Sequence, residues 1–321
     1  MGRKVIFQSL RRERFELRQV LMSEQKPSTV AALHRSTLHC EGPGFAVTVL
    51  PASPYQVSYV SDRHVIGFTF ERQRGVDAFG GARRRPFDAE PWRLAFTPAG
   101  CDVFSASDKG GEYLVLSFAP KVFARFASGI ETCRLRQFTN AADPRFTPLA
   151  TSLRRMTMVG AAAPSLAMES VVAVAAERVS AVLNPSTQRG AAECRLTSRR
   201  LKRILDHFEA RLTEEIRLAD LASDTGLSEC YLARTFRAAT GMTLHAALVE
   251  RRIVRARSLI EAASRRGTRP SLAAVAAACG FSSHAHMTTI FRRVLGVTPS
   301  EWTRMFADTS VRGSSDRSTA G

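Results

Sequence analysis

From about residue 195 to 307, apolar positions recur every three to four residues, and this spacing predicts an almost wholly helical region. Within it one pattern occurs twice. The stretch from Leu218 to Ser228 is echoed from Leu272 to Ser282, at an offset of 54 residues. Further on the offset is 55, pairing Phe236 with Phe291, Gly241 with Gly296 and Thr243 with Thr298. Such a repeat means one small unit built twice, here helix, glycine-containing turn, helix. In the first copy Leu218, Leu221 and Ala222 share a face, Gly226 suits a turn with positive φ, and Ser228 suits an N-cap. Leu232 and Phe236 then face inward, leaving Glu229, Cys230, Ala233, Arg234 and Arg237 outward. The second copy repeats the scheme with Leu272, Val275, Ala276, Gly280, Phe281, Met287 and Phe291. Its outward set is Ser283, His284, His286, Thr288, Thr289, Arg292 and Arg293. Leu244 to Ala263 reads as a connecting helix, about 30 Å long at 1.5 Å per residue. Successive major grooves on one face of DNA lie about 34 Å apart, so such a rod suits two helices reading neighbouring grooves.

Upstream the pattern changes. Residues 36 to 120 carry short apolar runs, such as Phe45 to Leu50, Val65 to Phe70, Trp92 to Phe96 and Glu112 to Phe118, separated by Gly and Pro turn signals. These predict an antiparallel β sandwich or barrel. Pro148 to Met158 and Ser165 to Leu183 read as helices, and Asn184 to Gly190 breaks the pattern as a linker. The expected organisation is an arm over 1–35, a β domain with trailing helices over 36–183, a linker over 184–194, a helical domain over 195–307 and a polar tail over 308–321.

Composition sharpens this picture. The net charge is +17, with 46 Lys+Arg against 29 Asp+Glu. Residues 195–307 alone carry net +9. This excess suits a polyanionic partner. Arg237, Arg292 and Arg293 fall late in the second helices, where phosphates would lie. Arg251, Arg252, Arg255 and Arg257 on the connector suit either phosphates or a solvated face. The six cysteines are scattered with no CxxC pair, which supports neither a zinc site nor a redox motif. No apolar run reaches about 18 residues, and charges at Arg11, Arg12, Glu13 and Arg14 interrupt any signal-peptide core, so no membrane span and a cytoplasmic location are expected.

Residues 199 to 306 resemble the DNA-binding domain of the AraC/XylS family of bacterial transcriptional regulators. The motifs are Ile216 to Ala222, Gly226 to Ser228 with Leu232 to Arg237, Arg252 with Ala256 and Leu259, and above all Cys279 to Ser283 with Phe291 to Trp302. The resemblance implies an α+β multidomain chain: an N-terminal antiparallel cupin-like β-barrel with trailing helices, then an all-α double helix-turn-helix. It places base reading on Glu229, Cys230, Ala233 and Arg234 in the first recognition helix and on His284, Ala285, His286, Thr288 and Thr289 in the second. Ser228, Arg237, Ser283, Arg292 and Arg293 are expected at phosphates. Two positions depart from the family: Thr289 stands where arginine is frequent, and Met287 where an aromatic or leucine is. The first copy is therefore expected to carry most of the sequence discrimination.

The implied function is a sequence-specific regulator, an activator by family analogy, acting on promoter DNA with RNA polymerase as a partner. Its N-terminal domain would bind a small effector or form a homodimer, with Tyr55, Phe68, Phe70, Trp92 and Phe96 as candidate pocket residues. No cofactor is implied. Two other classes stay open. A metal-dependent cupin enzyme would need His34, His39 and Glu41 as ligands, at a spacing unsuited to one strand face. A non-specific nucleoid-type binder would use the charge alone.

Overall fold

A computed structural model describes residues 38–126, 135–160, 165–184 and 196–305. The expected arm, most of the linker and the tail lie outside the described residues. The described residues belong to one compact unit, so the β region and the C-terminal helices share a single framework.

The β region has the expected antiparallel architecture. Its strands are β1 (Leu38–Gly42), β2 (Phe45–Leu50), β3 (Tyr55–Val60), β4 (His64–Thr69), β5 (Gln73–Phe79), β6 (Arg85–Ala89), β7 (Leu94–Thr97), β8 (Asp102–Ser107), β9 (Tyr113–Phe118) and β10 (Phe138–Ala141). They form two sheets, ordered β1-β2-β9-β4-β7-β10 and β3-β8-β5-β6, and do not close into one hydrogen-bonded ring. The larger sheet has two unlike faces. Its registers pair Val47 with Leu116, Ile66 with both Leu116 and Phe96, and Phe68 with both Leu114 and Leu94, which puts these apolar residues on one face. The opposite face is lighter and more polar, with Thr48, Gly67, Ser117 and Thr97.

Helices cover the apolar face. Helix α1 (Pro120–Phe123) inserts Phe123, whose ring lies 5.1 Å from His64, 5.6 Å from Phe96 and 5.6 Å from Phe118. Helix α2 (Thr147–Val159) has Pro148 in its first turn and a left-handed Gly160 after its last. It buries Ala150, Leu153 and Met158, and Phe146 before it packs 5.6 Å from Phe68. Helix α3 (Leu166–Leu183) is capped by Ser165 and turns Met168, Val172, Ala175, Ala176 and Val179 inward.

The helical region begins with α4 (Ser198–Ala210). Helices α5 (Leu218–Thr225) and α6 (Glu229–Thr240) form the first helix-turn-helix, and α8 (Leu272–Ala278) and α9 (His284–Leu295) the second. The connector α7 (Leu244–Arg265) has 22 residues, about 33 Å of helix. Leu232 and Phe236 on α6 match Met287 and Phe291 on α9, all fully buried, so Met287 fills its core position without an aromatic ring. No described helix is long and apolar enough to cross a membrane.

Candidate nucleic-acid interface

Each recognition helix is held at its start by a serine. The Ser228 hydroxyl accepts from Tyr231 N at 3.4 Å, and the Ser283 hydroxyl accepts from His286 N at 3.0 Å. Both cap their helices and leave the positive N-terminal ends outward. The turns differ by one residue. Gly226 and Gly280 are both left-handed, and Leu227 N and Phe281 N donate back to Ala222 O and Ala276 O. Ser228 then caps α6 at once, whereas Ser282 intervenes before Ser283 caps α9. This locates the change of offset from 54 to 55. The structural counterpart of Ser228 is therefore Ser283 and not Ser282, with which the sequence repeat aligns it; the added Ser282 hydroxyl hydrogen-bonds His286 Nδ1 at 2.8 Å, while Phe281 meets the same imidazole edge-on at 5.7 Å.

On α6, Glu229, Cys230, Ala233, Arg234 and Arg237 are exposed, as the periodicity predicts. Tyr231 joins them, with Arg234 Cζ 5.6 Å from its ring centroid. An aromatic next to the core residue Leu232 has no outward mark in the sequence, so periodicity alone does not single out Tyr231. A groove of about 820 Å³ runs beside this helix, bounded by Cys230, Ala233 and Arg234 on one wall and by Phe208, Leu221 and Leu248 on others.

On α9, His284, Ala285, His286, Thr289, Arg292 and Arg293 are exposed. Thr288 is only half-exposed, and its Oγ1 is buried with no hydrogen-bond partner among the described residues. Thr289 Oγ1 donates to Ala285 O at 3.0 Å, so its own helix already engages that hydroxyl. The second helix therefore presents imidazoles and cations rather than threonine hydroxyls.

Arg234, Arg237, Arg292 and Arg293 make no ion pair with any described residue, which leaves their charge for a partner. The connector arginines behave otherwise. Arg252 donates to Leu212 O at 3.0 Å and Glu214 O at 2.8 Å, and Arg251 pairs with Glu209 at 2.6 Å. Arg257 is buried against Glu112 at 2.7 Å. Of the four, Arg255 alone is exposed. Neither a phosphate-binding face nor a solvated one describes Arg251, Arg252 and Arg257; they tie the connector to its surroundings.

The candidate effector residues separate into two places. Phe68, Phe70, Trp92 and Phe96 are at most 2% exposed and belong to the packed core on the helix side of the larger sheet. Tyr55 lies elsewhere, half-buried on the smaller sheet, with Oη 3.2 Å from Ser105 Oγ. Its neighbours are Tyr59 and Tyr113, which the sequence reading did not single out. Burial pushes the Tyr59 phenol up to about 12, with added repulsion from Cys101 and Tyr55. Burial likewise raises Tyr113, with further contributions from Tyr55 and Tyr59. Tyr113 lies across Gly67, where a Cβ would stand 1.7 Å from its hydroxyl oxygen. Alternation could have placed Tyr59 beside Tyr55, because β3 exposes every second residue. Of the alternative metal ligands, His39 Nδ1 is hydrogen-bonded to Thr48 Oγ1 at 2.9 Å, and His34 lies outside the described residues.

The helix-turn-helix domain family matches residues 221–305. Regulatory protein PocR of Salmonella typhimurium is 29% identical over 111 residues, covering 35% of each chain. The HTH-type transcriptional activator RhaR of Escherichia coli K12 is 28% identical over 102 residues, covering 32% of this chain and 34% of its own. The C-terminal region holds a helix-turn-helix domain. A solved structure of a probable AraC family transcriptional regulator from Rhodopseudomonas palustris is similar to this domain at 26% identity, over 34% of this chain and 98% of its own, with a TM-score of 0.31. The chain spans about a third of the length of the curated relatives it matches.

Proposed function

We propose that this chain is a sequence-specific transcriptional regulator of the AraC/XylS type that reads two successive major grooves of promoter DNA. The observation that carries this reading is the pair of capped recognition helices. Both present uncovered faces with arginines that form no salt bridge among the described residues, and a connector of about 33 Å links them, close to the roughly 34 Å between grooves. Glu229, Cys230, Ala233 and Arg234 face base edges from α6, with Tyr231 holding Arg234. His284, Ala285, His286 and Thr289 occupy the matching places on α9, and Thr288 turns its hydroxyl inward instead of toward the bases. Ser228, Arg237, Ser283, Arg292 and Arg293 flank them at phosphates.

The regulator acts in the cytoplasm, activates transcription with RNA polymerase, and answers to a small effector or to homodimerisation through its β region. The hydroxyl cluster of Tyr55, Tyr59, Tyr113 and Ser105 supports an effector site better than the packed phenylalanines do, because these residues are half-buried and interact with one another. Footprinting the full chain on genomic DNA tests the reading. Protection of two adjacent segments about one helical turn apart is expected. Uniform protection would favour the nucleoid-type binder, and metal-dependent turnover lost in His39→Ala would favour the cupin enzyme.

A further inference from the structure

A helix that precedes the C-terminal helices in the chain meets the ends of both recognition helices. At the start of α2, Thr147 Oγ1 donates to Thr240 O at 2.7 Å, and this bond is buried. Thr240 is the last residue of α6. The next residue, Gly241, is left-handed at φ +77°, and a Cβ there would stand 2.1 Å from Pro144 O, just before α2. At the far end of α2 the arrangement repeats with α9. Gly296, left-handed at φ +85°, caps that helix, and a Cβ would stand 2.6 Å from Val159 Cγ2 and 3.0 Å from Arg155 Cγ.

Both recognition helices thus end on a left-handed glycine beside α2, and at Gly241 the close approach of the Pro144 backbone also excludes a side chain. Between these ends, Arg154 in the body of α2 bonds Glu250 on the connector at 2.5 Å and Glu112 before β9 at 3.1 Å, all of them buried. One helix of about 20 Å therefore meets the first recognition helix, the connector and the second recognition helix in turn. It grips the C-terminal ends and leaves the base-reading faces open.

We propose that α2 is a splint that sets the spacing of the two recognition helices, with Thr147, Arg154 and Val159 as positioning residues for DNA reading. The inference rests on the DNA-binding function proposed above. Without the splint, the connector alone would relate the two helices, and bending at its ends would let them meet grooves at more than one separation.

The test uses the full-length chain and a pool of duplexes randomised over about three helical turns. The wild-type chain is expected to enrich two half-sites at one fixed separation. Thr147→Val combined with Val159→Ala loosens both ends of α2 and leaves α6 and α9 intact. It should enrich the same half-site sequences at several separations and bind the best wild-type duplex about tenfold more weakly, the size expected for a lost buried hydrogen bond. Changing residue 147 to serine instead of valine in that double variant returns the hydroxyl and should narrow the separations again. Val159→Ala alone, at an exposed position, provides a second folded variant and should widen the separations in the same direction. A single sharp separation with wild-type affinity in these variants overturns the splint. A wild-type chain that enriches no common sequence overturns the DNA reading itself, and the splint with it.

Discussion

The guanidinium of Arg234 lies over the ring of Tyr231, three residues earlier on the same recognition helix, at 5.6 Å. An arginine held this way loses less freedom when it meets a base edge than one that must first be ordered. Arg234→Ala should cost about 1–3 kcal/mol of discrimination at particular base pairs and leave other positions unchanged. Titrations against duplexes with single substitutions check this. Equal weakening on every sequence would reassign Arg234 to phosphate. Tyr231→Leu should give a smaller loss at the same base pairs.

Thr289 occupies on α9 the place of Arg234 on α6, and its hydroxyl is bound to Ala285 O. Thr289→Arg should therefore add a long donor and sharpen sequence choice at the second half-site without altering the first. Selection from a half-randomised duplex pool reads the outcome, and an unchanged second half-site would show that the residue stands clear of the bases.

Arg237, Arg292 and Arg293 carry charge with no ion-pair partner among the described residues. Binding should weaken steeply with salt, and Arg292→Ala should lower the slope of the log–log plot by about one. A slope unchanged by that substitution would remove Arg292 from the phosphate set.

Glu112 is fully buried between Arg154 and Arg257. Burial alone would raise its carboxyl, but the two guanidiniums outweigh burial and hold it below the usual range. A carboxylate with a depressed pKa stabilises the fold above its unfolded value near 4.5, and this contribution is lost as pH falls through the folded value. Thermal melts of the full chain should drop as pH falls below about 4.5, and Glu112→Gln should flatten that dependence. Arg154→Met should be harsher, costing about 3–5 kcal/mol, because it leaves Glu112 and Glu250 buried with one fewer cation. A melt unaffected by that change would mean the carboxylates find water instead.

The sequence made the local elements legible and left their mutual packing largely hidden. The recognition helices were readable because Leu232 and Phe236 recur as Met287 and Phe291, and because serine and glycine punctuate helix ends at fixed offsets. The role of Ser282 was not, since an inserted serine in a turn looks like any turn residue until its hydroxyl is placed on His286. Phe68, Phe70, Trp92 and Phe96 were candidates for a pocket because aromatic strands serve core and cavity alike, and only strand register separates the two faces. Arg154 and Arg257 were opaque for a different reason. Each pairs with carboxylates distant in sequence, and Glu112 lies 42 residues from Arg154.

The extra residue at Ser282 has a consequence for the proposed DNA site. It adds to the difference between the two proposed readers, one an arginine over a tyrosine, the other an imidazole held by a serine. Joined head to tail on one chain, unlike readers call for unlike half-sites in a fixed order. Such a site has an arrow, and a single copy of the protein on it faces upstream or downstream according to which strand carries the first half. Reversing the site would turn the protein around.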